Sequence, residues 1–183
     1  MVNMLLRTLL LMVMSRRRSR LDFRDVGRIA MRVVPGDLDL LRHVNNGVYL
    51  SIMDLGRMDL MLRSGKWQEL GRRGWYPVAV NTTMTYRRSL RLWQRYILET
   101  KLAGFDEKAM YVEQRFVRNN EVYVVGIMRG RFLKKSGGTV SVAELGELAG
   151  VDPAEWQAPE WMRDWASSSA LPPSRAIYPS NWN

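Results

Sequence analysis

The chain has 183 residues, 46% of them hydrophobic and 25% charged, which suits one domain with tails and excludes collagenous, low-complexity and wholly disordered classes. It has no Cys and one His, which excludes disulfide frameworks, zinc–thiolate sites, iron–sulfur clusters, cysteine nucleophiles and multi-histidine metal sites. The formal charge of +10 divides into +5 over residues 1–20, +9 over 21–140 and −4 over 141–183, so the middle of the chain favours anionic partners such as phosphates, an acidic carrier protein or a lipid surface.

Residues 1–20 form an apolar and basic segment. Its apolar run extends from Met4 to Met14, broken by Arg7 and Thr8, and ends in Arg16, Arg17, Arg18 and Arg20. A membrane span needs about 20 apolar residues. A secretory signal carries its positive charge before the apolar core and a small-residue cleavage site after it; here the charge follows and no such site is present. A cytoplasmic location is therefore expected. Two roles stay open for residues 4–20: peripheral contact with an anionic membrane surface, or docking on the protein itself or on a partner subunit.

A strand is expected over Arg24–Val34, ended by Pro35-Gly36, then a polar loop over Asp37–Asn46. Val48–Ser64 reads as a helix that is apolar around almost its whole circumference, hence buried, with Asn45 and Asn46 as N-cap residues and Gly65 at C′. Gly56 in mid-helix costs about 1 kcal/mol against Ala, which points to a close backbone approach. After a basic turn at Arg72-Arg73-Gly74 come four runs rich in Val, Tyr, Ile, Thr and Phe: Tyr76–Arg88, Arg95–Gly104, Lys108–Arg118 and Val122–Lys134. These read as an antiparallel meander. Ser141–Ala149 reads as a short helix with Ser141 and Glu144 in capping-box spacing. The tail from Val151 carries five Pro and four Trp (Trp156, Trp161, Trp165, Trp182); parts of it are expected to pack on the domain and its last dozen residues to stay mobile. The organisation is thus residues 1–20, a domain over 21–150, and a tail over 151–183. The fold class is α+β: a long helix wrapped by a curved antiparallel sheet of about five strands. A free sheet edge favours pairing with a second copy, as a homodimer or dimer of dimers.

The loop before the long helix gathers Asp37, Asp39, His43, Asn45 and Asn46 within ten residues. A helix N-terminus offers unpaired N–H groups that can polarise a carbonyl and hold a developing oxyanion. A nearby carboxylate can attack that carbonyl or activate water against it. The same residue types also cap helices and satisfy tight loops, so both readings stand on the residues alone.

The run DLDLLRHVNNGVYLSIMDLGR, Asp37–Arg57, followed by a long antiparallel stretch, resembles the hot-dog fold thioesterases around 4-hydroxybenzoyl-CoA thioesterase and the thioesterase-superfamily-member-6-like branch. The resemblance covers about residues 20–140. It implies hydrolysis of acyl-CoA or acyl-carrier-protein thioesters to free acid and thiol, a role in lipid metabolism, and no cofactor beyond the CoA of the substrate. By position it makes Asp39 the nucleophile or general base and puts the helix-start N–H near Gly47 on the carbonyl oxygen. His43 is then a candidate for activating water or for a structural role, and Asn45, Asn46 and Tyr49 for orienting the loop, pinning the helix or touching substrate. Asp54, on the helix, is a second candidate carboxylate, or a partner for Arg57. Arg87, Arg88 and Arg91 are candidates for CoA phosphates, or a solvated turn. The 12 Met could shape an acyl tunnel or fill the core. Relatives often carry Gly before the His, where this chain has Arg42; its side chain either obstructs the helix start or meets a CoA phosphate. A hydratase of the same fold fits poorly, because its Asp-x4-His spacing is absent here, and no nucleic-acid motif is present. The competing function is a non-catalytic protein that binds acyl groups or lipid at a membrane surface.

Overall fold

A computed structural model describes residues 2–173 and 175–180, with side chains from Met4 onward; Trp182 of the tail lies outside the described residues. The elements in chain order are α1 (Val2–Ser15), β1 (Gly27–Arg32), a 3-10 turn (Pro35–Asp37), α2 (Asn46–Arg63), α3 (Lys66–Arg73), β2 (Trp75–Tyr86), β3 (Arg95–Phe105), β4 (Met110–Arg118), β5 (Glu121–Lys134), α4 (Val142–Ala149) and α5 (Glu160–Ser168). The sheet is antiparallel with strand order β1-β3-β4-β5-β2. The expected α+β architecture, one long helix on a five-stranded sheet, is what forms.

The four-strand meander is corrected. Only β3, β4 and β5 follow one another across the sheet; β2 crosses to the far edge and pairs with β5. Local composition makes each run a strand, but α2 and α3 intervene between β1 and β2, and the long link from β2 to β3 lets β1 take the place beside β3. Pro77 suits the edge position, because it has no N–H to give to a ladder. The turn between β4 and β5 is formed by Asn119 and Asn120, both at positive φ, the backbone shape that Asn tolerates in two-residue hairpins.

α2 begins at Asn46, two residues earlier than its apolar pattern suggests, with Asn45 as cap. It stops at Ser64, and Gly65 takes the left-handed conformation after it at φ 75°. Tyr49, Ile52, Met53, Leu55, Gly56 and Leu60 are buried against sheet and neighbouring helices. The inward alternation of β3 and β4 brings Thr100 and Gln114 beneath Gly56: a Cβ there would lie 2.7 Å from Leu98 Cδ2, and as tightly against Thr100 Oγ1 and Gln114 Nε2.

α1 docks on the domain itself. Leu11 packs with Ile29 of β1 and Leu55 of α2, while Met4 reaches the cluster around Val33 and Val44. Its end is tied by Ser15 Oγ and Arg18, both donating to the fully buried Asp59, which also pairs with Arg63. Arg7 of α1 and Arg18 just after it donate to the carbonyls of Arg32 and Arg28, tying the segment to β1.

α3, which the sequence pattern did not signal, closes one end with Leu70 beside Trp75 and Phe132. α4 has the expected capping box: Ser141 N–H donates to Glu144 Oε2 at 2.8 Å and Glu144 N–H to Ser141 Oγ at 3.3 Å. The tail supplies a second layer. Met162 and Ala166 of α5 cover Tyr111 and Ile127 on the face of the sheet away from α2, with Trp165 beside them, while Trp156 packs near α4 and Trp161 is exposed.

Replacing Gly56 by Ala is expected to destabilise the fold by about 1–3 kcal/mol despite the better helix propensity, because strand side chains must move. Urea unfolding of the two proteins measures this.

Candidate functional site

The loop from Pro35 to Asn45 is a short hairpin locked at both ends. Leu38 and Val44 form an antiparallel bridge, Asp39 N–H donates to His43 O at 2.9 Å, and Arg42 N–H donates to Asp39 O at 3.0 Å. Asp39 Oδ1 accepts from the N–H groups of Leu41 (2.8 Å) and His43 (3.2 Å). One carboxylate oxygen thus holds the turn, and Oδ2 has no such duty. Leu40 and Leu41 stand exposed at the tip. Arg42 is exposed and adopts φ 61°, a left-handed conformation that Gly takes without cost, which is the backbone reason the resemblance leads one to expect a Gly there. Asp37, the first carboxylate of the motif, is buried. It pairs with Arg7 at 2.8 Å and accepts from Val34 N–H at 3.0 Å, which joins α1 to the base of the loop.

The helix start is capped from within. Asn45 Oδ1 accepts from Gly47 N–H at 2.8 Å, so the Gly47 amide singled out from the motif is engaged by the cap. Val48 N–H turns back to Asn45 O at 2.9 Å. Asn46 N–H is the helix-start amide with no protein acceptor among the described residues, and Asn46 itself is exposed. Tyr49 is 1% exposed. Its ring packs edge-on against Phe116, and its hydroxyl accepts from Leu90 N–H at 3.1 Å. Burial raises its phenol above the ordinary range. Tyr49 therefore belongs with the groups that pin the helix, not with those that face solvent. Val44 N–H donates to Leu90 O at 3.1 Å, so the segment after β2 is clamped to both loop and helix.

That clamp brings His43 beside the basic segment. His43 and Arg91 form an isolated β-bridge, and His43, Arg88, Ser89, Arg91, Gln94 and Tyr123 line an open cleft of about 420 Å³. Arg88 donates to Glu121 Oε2 at 2.6 Å, and Arg87 reaches the same oxygen at 3.4 Å. Arg87 does not line the cleft.

Asp54 lies elsewhere. It is two turns along α2, exposed, and ion-paired with Arg57. Both line an apolar cavity of about 280 Å³ among Met58, Met61, Val78, Met110, Met128 and Phe132. The structure thus separates Asp54 from Asp39 and His43, neither of which lines that cavity. Sequence reading missed Arg57, Thr100 and Gln114 as a connected polar group. Arg57 Nη1 donates to Gln114 Oε1 at 2.7 Å, and Gln114 Nε2 donates to Thr100 Oγ1 and to Met53 O, each at 2.9 Å. Burial pulls the Arg57 guanidinium below its ordinary pKa, opposed by the Asp54 charge. The available signal was alternation: Thr100 and Gln114 occupy inward positions between Leu98 and Leu102 and between Val112 and Phe116.

Arg42→Gly should raise stability by about 0.5–1 kcal/mol, since Gly relieves the left-handed strain at some cost in unfolded-chain entropy. Thermal unfolding read by circular dichroism tests it.

The comparisons with known proteins fit this architecture. Protein THEM6 from Xenopus laevis is 42% identical over 99 residues, covering 54% of this chain and 48% of that protein. The chain thus spans about half the length of the curated relatives it matches. Among solved structures, the probable thioesterase YbaW from Escherichia coli superposes with a TM-score of 0.63 at 22% identity, over 67% of this chain and 95% of that one. A putative oleoyl thioesterase from Lactobacillus plantarum gives 0.65 at 12% identity, over 86% of this chain and 58% of that one. These two show the shared fold. The model of the thioesterase-like superfamily matches residues 33–165, from the end of the first strand into the last helix, and the chain belongs to that superfamily.

Proposed function

We propose that the chain hydrolyses acyl thioesters, with acyl-CoA carrying a long or aromatic apolar acyl group as the substrate class. The observation that carries this reading is the placement of a carboxylate in a hydrogen-bonded hairpin six residues before the Asn45 cap of α2, inside a chain of the thioesterase-like superfamily. In the general-base form, Asp39 Oδ2 takes a proton from water and the water oxygen adds to the thioester carbonyl carbon. The oxyanion is held by Asn46 N–H, and by Gly47 N–H if Asn45 yields it. Collapse expels the thiolate, which takes up the proton and leaves a free acid and a thiol. In the nucleophilic form the same oxygen attacks the carbonyl carbon and the C–S bond breaks, expelling the thiolate and leaving a mixed anhydride; water then cleaves it to the free acid and the Asp39 carboxylate, its proton passing to the thiolate. In this reading Arg91 and Arg88, beside His43, meet the phosphates of CoA, or the phosphopantetheine of a carrier protein, Arg88 leaving Glu121 to do so. No cofactor is required beyond the CoA of the substrate.

The apolar cavity under Asp54 suits the acyl chain. Pro77, Val78 and Ala79 of β2 border it, and β2 is an edge strand of the sheet. A second copy paired along β2 would lie at its rim, so the working unit in this reading is a homodimer. Sedimentation equilibrium is expected to give twice the chain mass of 21.3 kDa; a monomer at assay concentration would remove the dimer from the proposal.

A thiol-release assay over acyl-CoAs of varied length tests the hydrolase. Asp39→Asn keeps an Oδ1 acceptor for Leu41 and His43, so the loop should hold while kcat falls about 10²–10⁴-fold. Unchanged turnover would remove Asp39 from the chemistry. One observation favours a second reading, a non-catalytic acyl binder: Asp39 already serves two amides of its own loop. Binding of acyl ligands with no thiol released from any acyl-CoA would establish that alternative.

A further inference from the structure

α1 is apolar on two faces, and the fold uses only one. Met4, Leu11 and Ser15 turn inward, with Arg7 and Arg18 committed to Asp37 and Asp59. On the outward face Leu5, Leu6, Leu9, Leu10, Val13 and Met14 are each between 52 and 65% exposed. Their spacing of i, i+1, i+4, i+5, i+8, i+9 makes a continuous stripe along the helix. Arg16, Arg17 and Arg20 follow it, all exposed, and the first 20 residues hold no acid. A second exposed apolar pair, Leu40-Leu41, sits on the hairpin whose base α1 holds through Arg7.

We propose that the outward face of α1 binds an anionic lipid bilayer, its leucines entering the boundary between headgroups and acyl chains and its trailing arginines meeting lipid phosphates. At 14 residues the helix is about 21 Å long, short of the roughly 30 Å hydrocarbon core. No described helix is long and apolar enough to cross a membrane. With its other face fixed to β1 and α2, α1 lies in the plane of the interface. Charge selects the occupant. Anionic headgroups neutralise Arg16, Arg17 and Arg20, whereas the same face of a second copy brings three more arginines and no carboxylate. The proposed pairing edge, β2, is at the opposite end of the sheet, so α1 stays free in such a dimer. The inference does not rest on the hydrolase reading.

The test is flotation of the full chain with vesicles of phosphatidylcholine alone and of phosphatidylcholine mixed with phosphatidylglycerol. The chain is expected to float with the mixed vesicles, less so as salt is added, and weakly with phosphatidylcholine alone. Leu6→Glu/Leu10→Glu alters only exposed positions, so its unfolding midpoint should stay in place while binding falls by at least about tenfold. Arg16→Gln/Arg17→Gln leaves the apolar stripe intact and should lower binding about fivefold for each charge removed. Failure of the wild-type chain to float overturns the proposal, as does flotation of both variants at the wild-type level. If the leucine variant instead splits an oligomer on size exclusion and floats as wild type does, the face belongs to a second copy and not to lipid.

Discussion

A helix that is apolar on nearly every side has to be covered over most of its circumference, and the rest of this molecule answers that demand except along the side of Leu50 and Asp54, which stays open. α2 cannot be shielded by the sheet alone, because a sheet covers one flank. The sheet takes the flank of Ile52, Met53 and Gly56, α1 takes that of Leu55, and α3 closes the far end. At Gly56 the backbone of α2 comes close enough to β3 and β4 to exclude a methyl group, which sets the depth at which the helix sits.

Such burial makes the polar residues of α2 expensive unless each is paired. Asp59 is enclosed with Arg63, Arg18 and Ser15, which makes the end of α1 part of the interior. Arg57 is answered by Asp54 on its open side and by Gln114 on its buried side. Removing α1 would therefore do more than uncover Leu55. It would leave Asp59 without the Ser15 donor and Asp37 without Arg7.

The site follows from the same demand. A deeply seated helix must have its N-terminus held, and the grip consists of Asn45 as cap, the Tyr49 hydroxyl on Leu90 N–H and the Val44 amide on Leu90 O. Those bonds draw the segment after β2 against the loop and place Arg88 and Arg91 around His43. The tight turn puts Arg42 at positive φ and engages Asp39 Oδ1 with two amides, while Oδ2 accepts no hydrogen bond among the described residues. Rigidity of this kind is what a reacting carboxylate requires, and it is equally what a plain helix cap requires.

The residue pattern by itself determined what is local. Period-two runs became β2 to β5 within one to two residues, the apolar run became α2, and Asn45, Gly65, Ser141 and Glu144 took the caps their chemistry suits. The motif also marked the loop that carries Asp39 and His43. Tertiary structure alone decided the rest. It put β2 beside β5, because strand order depends on pairings distant in sequence that no local period records. It split the carboxylates, sending Asp37 inward to Arg7 and Asp54 to a separate cavity, because burial depends on which segment arrives from elsewhere in the chain. And it spent one face of α1 on the protein and left the other bare, since a helix apolar all round does not say which side its own fold will claim.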